Sequence, residues 1–110
     1  MRSDEEMFSF LMELVRIDTT ATPDERRNYR EAAALIEERA RGAGLRTHVQ
    51  TYTNRVGEAY NVIAWADLGA PENLLLLSHY DVVPAEGPWR VGDVEFDPFE
   101  PVRLGGRIYG

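Results

Sequence analysis

The chain contains no cysteine, and that absence restricts it most. Disulfides and thiolate metal sites are excluded, so any metal would need His, Asp or Glu ligands. A cysteine-free chain also fits a reducing, cytoplasmic setting. Positive charge is scarce: 12 Lys and Arg stand against 19 Asp and Glu, for a formal net charge of -7 at pH 7. Such a chain repels phosphate backbones and anionic bilayers, so neither nucleic acid nor membrane is an expected partner. Long hydrophobic runs are missing too. Leu74–Leu77 is far too short to span a bilayer. The opening MRSDEEMF is acidic, and the apolar residues behind it are interrupted by Glu13 and Arg16, so it does not read as a signal peptide. A soluble, cytoplasmic protein is expected.

What is present suits one small domain. The 110 residues are 44% hydrophobic and 28% charged, a globular balance with material for a core. Ser3 and Glu6 have the spacing of a capping box, and Phe8, Leu11, Met12 and Val15 recur at helical period, which predicts a helix over 4–17. Thr22, Pro23 and Glu25 read as the cap, first residue and second capping box of another helix. Tyr29, Ala32, Ala33, Ile36 and Ala40 mark its buried face, and Gly42 or Gly44 stops it.

The period then changes. Residues 45–52 read as an edge strand, 61–67 as an inner strand apolar on both faces, and 74–77 as a second inner strand. From Pro84 the chain is rich in Gly, Pro and aromatics, without helical period. Trp89, Phe96 and Phe99 nevertheless need somewhere to pack, and 107–109 reads as a strand just beginning. The expected class is α/β, with helices layered on a sheet.

The stretch LLLLSHYDVVP carries the chemistry. Residues two apart on an extended chain share a side, so His79 and Asp81 are predicted to face one way and Tyr80 the other. A metal-bound histidine commonly donates its second ring N–H to a carboxylate, which fixes the tautomer. The same pair also suits a plain strand end, with a satisfied histidine and an aspartate opening a turn.

The wider sequence resembles the dinuclear zinc amidohydrolases and exopeptidases, the family of aminoacylase, acetylornithine deacetylase, succinyl-diaminopimelate desuccinylase and glutamate carboxypeptidase. The matching segments are ELVRIDT, NYREAAALIEERARGAGL, LLLLSHYDVVP, Trp89 and FDPFEPVRLGGRIYG, in the family's order and spacing. Gly105 stands where the family often has aspartate. The resemblance implies a three-layer zinc-exopeptidase-like fold, a mixed sheet flanked by helices. It implies that residues 1–110 are the N-terminal part of the catalytic domain, truncated, without the lid domain through which a homodimer would form.

It further implies His79 as a ligand of one of two zinc ions, with cobalt as a substitute, and Asp81 as the carboxylate that orients it. The bridging aspartate, the general-base glutamate and the remaining ligands would follow Gly110. The implied reaction is hydrolysis of the amide of an N-acyl amino acid, of acetylornithine or succinyl-diaminopimelate type. Dipeptidase or carboxypeptidase action and a non-catalytic binding module on the same fold are the alternatives. His48, Trp89, Phe99 and Tyr109 receive no site role. One histidine cannot hold a catalytic zinc alone, so the chain by itself is expected to be inactive.

Overall fold

The computed structural model describes residues 3–110. Helix α1 runs Asp4–Arg16. Its capping box forms as predicted, with Ser3 Oγ accepting from the Glu6 amide at 3.3 Å and Glu6 Oε2 accepting from the Ser3 amide at 3.0 Å. Three acidic residues in its first turn and Arg16 in its last complement the helix dipole.

The second helix does not begin where the capping pattern predicts. Strands β1 (Ala21–Thr22) and β2 (Glu25–Arg26) form a tight antiparallel hairpin around Pro23–Asp24, and α2 runs Tyr29–Gly42. Thr22 Oγ1 accepts from the Asp24 amide at 3.3 Å, a turn bond in place of a helix cap. Two long-range anchors hold the hairpin. Arg26 donates to Asn54 Oδ1 and to the Gly57 carbonyl, both at 2.9 Å. Asn28, in left-handed backbone geometry at φ 52, reaches back to the Asp18 carbonyl at 2.9 Å. These contacts outweigh a local preference worth only about 1 kcal/mol.

Strands β3 (Arg46–Asn54) and β4 (Gly57–Trp65) form a nine-residue antiparallel hairpin. Helix α2 lies against it and buries Ala32 and Ala33 there, while Arg30 reaches Glu58 and the Tyr60 hydroxyl. Two further pairs follow, in the Gly- and Pro-rich part of the chain. β5 (Trp89–Val91) pairs with β6 (Val94–Phe96), and β7 (Val102–Leu104) with β8 (Arg107–Tyr109). Gly105 and Gly106 both take positive φ in the last turn, which suits a two-residue hairpin. Phe96 is buried with the Trp89 ring edge-on at 6.3 Å, but Trp89 itself stays 40% exposed, so the expected aromatic packing forms only in part. Helix α1 links the halves. Glu13 pairs with Arg39 of α2 at 2.5 Å, and Arg103 of β7 lies 4.2 Å over the Phe8 ring.

The chain is therefore a helix-and-strand fold of the α/β kind, but the described strands pair as four separate antiparallel hairpins. β4 is paired on one edge only, with Ile63 and Trp65 exposed, so it is not an inner strand among the described residues. Leu74–Leu77 pairs with nothing and lies open to solvent. A strand exists only through its ladder, and no described segment offers these leucines one. Among the described residues, no helix is long and apolar enough to cross a membrane.

Ala32 has no solvent exposure, which makes the α2 interface sensitive to added volume. Ala32→Leu is expected to destabilise the chain by about 1–3 kcal/mol through overpacking. Urea unfolding checks this, and an unchanged midpoint would show that the helix can lift off the hairpin freely.

Candidate functional site

His79 and Asp81 sit where an irregular segment meets the residues that follow α1. The Val82 amide donates to the Thr19 carbonyl at 3.1 Å, and the Ala21 amide donates to the Val82 carbonyl at 2.9 Å. The Thr19 hydroxyl donates to the Tyr80 carbonyl at 2.7 Å. Asp81 is thus held by backbone bonds on both sides. Thr19 and Thr20 are buried although polar, which is tolerable because their hydroxyls are hydrogen-bonded.

The side chains alternate as predicted. Tyr80 turns inward, donates to the Tyr60 carbonyl at 2.6 Å and meets the Tyr29 ring edge-on at 5.4 Å. His79 and Asp81 face outward together. His79 Nδ1 lies 2.9 Å from Asp81 Oδ1 and 3.0 Å from the Asp81 carbonyl oxygen. Both neighbours are acceptors, so Nδ1 carries the hydrogen and donates. The lone pair is left on Nε2, on a side chain that is 83% exposed. That is the arrangement a metal-ligating imidazole needs.

Two phenols beside the pair are shifted, both chiefly by burial. Burial pushes the Tyr29 phenol up, and the neighbouring Asp81 carboxylate pushes it further. Burial also raises Tyr80, against the hydrogen bond it makes to Tyr60. In the segment that follows α1, burial pushes Asp18 up, but hydrogen bonds from Thr20 and then Arg27 outweigh it and hold the carboxyl below the usual aspartate range. Asp18 stays ionised there and accepts from the Thr20 amide at 3.0 Å and the Thr20 hydroxyl, so the threonine segment is itself braced.

Among the described residues, no three His, Asp or Glu side chains gather as a metal site. His48 lies on β3 opposite Ile63. A surface hollow of about 290 Å³ is lined by Arg26, Asn28, Tyr29, Arg30, Glu58 and Tyr60. Its two arginines are already engaged, with Asn54 and Gly57 or with Glu58 and Tyr60. Comparison with protein-family models, with curated proteins and with solved structures returned no match.

Sequence reasoning assigned roles to His79 and Asp81 but none to Asp18, Thr19 or Tyr29. A signal for the first two was present: ELVRIDT sits among the matching segments, and its polar residues follow directly on an apolar helix face. No local pattern marks Tyr29, which is spaced as a plain core position of α2.

Proposed function

We propose that this chain is the N-terminal part of a zinc-dependent amidohydrolase that cleaves the amide bond of N-acyl amino acids. One observation carries the reading. In a sequence ordered like that family's, the histidine of the H-x-D segment has Nδ1 tied to the aspartate and Nε2 free toward solvent.

The donor set fits one corner of a zinc site. His79 would supply a neutral nitrogen through Nε2, and Asp81 would keep the ring in the Nδ1–H tautomer and raise its basicity. When bound, a zinc pair supplies polarisation of the amide carbonyl and acidification of water. The residues of this chain orient and hold. The proton transfers belong to a general base outside these 110 residues. A catalytic zinc normally takes three protein ligands, so His79 alone binds it weakly, and the isolated chain is inactive on this reading.

The test is hydrolysis by the complete protein loaded with zinc or cobalt, against N-acetyl and N-succinyl amino acids and dipeptides. Release of the free amine from an N-acyl substrate supports the deacylase. Cleavage of dipeptides alone assigns the peptidase branch. A zinc-loaded protein that binds N-acyl amino acids without cleaving them makes it a binding module.

A further inference from the structure

We propose that Thr19 is a positioning residue for the His79–Asp81 pair, acting on it through the main chain. Thr19 touches neither side chain of the pair by any hydrogen bond. It grips the residues on either side of Asp81: its hydroxyl donates to the Tyr80 carbonyl at 2.7 Å and its carbonyl accepts from the Val82 amide at 3.1 Å. The next link, Ala21 amide to Val82 carbonyl at 2.9 Å, closes a short parallel bridge between Thr20 and Val82.

The consequence is geometric. Residues 66–81 belong to no ladder, so nothing else in regular structure fixes how the chain enters Asp81. The direction of the Asp81 carboxylate depends on the backbone at 80–82, and the bond to His79 Nδ1 depends on that direction. The Thr19 hydroxyl is 61 residues away in sequence, and Thr19 itself is buried, so the bond is shielded from solvent on the threonine side. Its loss frees the Tyr80 carbonyl, and the main chain at Asp81 then turns between its remaining holds, the Tyr80 hydroxyl on the Tyr60 carbonyl and the backbone bonds of Val82. His79 Nδ1 then loses its two acceptors together, because both belong to Asp81. Nothing then holds the hydrogen on Nδ1, and the Nε2–H tautomer becomes populated. An imidazole with its hydrogen on Nε2 has no lone pair there to offer a metal.

The positioning role is a statement about the tautomer. Its use in catalysis rests on the amidohydrolase reading, and the test below does not require that reading to hold. The chain has two histidines, so histidine-selective ¹⁵N labelling gives two ring systems, and His48→Gln assigns them. Magic-angle-spinning spectra in alkaline buffer report the tautomer of neutral rings regardless of particle size. His79 in the parent chain is expected to show the Nδ1–H form. Thr19→Val, close in shape but lacking the hydroxyl, should give an Nε2–H signal that rivals it. Thr19→Ser restores the hydroxyl and should return the parent spectrum. A Thr19→Val chain with native helix content and an unchanged tautomer overturns the proposal. So does a Thr19→Val chain that unfolds, since the hydroxyl then supports the whole fold. Failure of zinc-dependent hydrolysis in the complete protein, with the tautomer shift observed, would sink the enzyme reading and leave the positioning role intact.

Discussion

His79→Ala in the complete protein is expected to lower zinc-dependent kcat/KM by more than about 100-fold, beyond the 10–100-fold typical of losing an outer-shell partner. On the proposed amidohydrolase reading His79 is one of three protein ligands, so its deletion would leave two, and the metal would leave or adopt another geometry. Asp81→Asn is expected to fall within about 10–100-fold, toward the lower end. The reason lies in the doubled acceptor: His79 Nδ1 is 2.9 Å from the Asp81 carboxylate and 3.0 Å from the Asp81 carbonyl. The carbonyl survives substitution and keeps part of the tautomer restraint, while the charge that raises ring basicity is lost. Zinc calorimetry and initial rates on the same preparations check both. Wild-type activity in His79→Ala would remove His79 from the metal site, and a larger loss in Asp81→Asn than in His79→Ala would reverse the two roles.

The 110-residue chain by itself is expected to self-associate through Leu74–Leu77. These side chains are 83–90% exposed, with Leu68 at 89%, and the segment has no strand on either edge. Full burial of one leucine is worth about 1.5–3 kcal/mol, so even partial burial of four drives association at working concentrations. Unpaired backbone along the same stretch supplies a template for a second copy. The net charge of -7 opposes this, so added salt should strengthen association by screening the repulsion. Sedimentation velocity should show concentration-dependent oligomers. Leu75→Lys with Leu77→Lys places two like charges on one side of any extended pairing and should shift the population to monomer. A parent chain that stays monomeric at high concentration and high salt refutes this expectation.

Features set by nearest neighbours are legible in the sequence. The Ser3–Glu6 capping box closes within one helical turn, and α1 forms where its pattern predicts. The facing of His79 with Asp81, and the inward turn of Tyr80, follow from the two-residue alternation of extended chain. Features set by distant partners are not. Thr22 and Glu25 have capping-box spacing, yet Arg26 bonded to Asn54 and Gly57 draws that segment into a hairpin. The leucine run has the composition of an inner strand, yet a strand needs a ladder that composition does not supply.

The sequence by itself determined which residues form the outward-facing pair, because two side chains on one short stretch need only local geometry to meet. Only the tertiary structure decided what holds the pair in place. The Thr19 hydroxyl bond to the Tyr80 carbonyl closes a loop of 61 residues, and a contact at that separation is set by how α1 and its exit segment pack, not by any spacing along the chain.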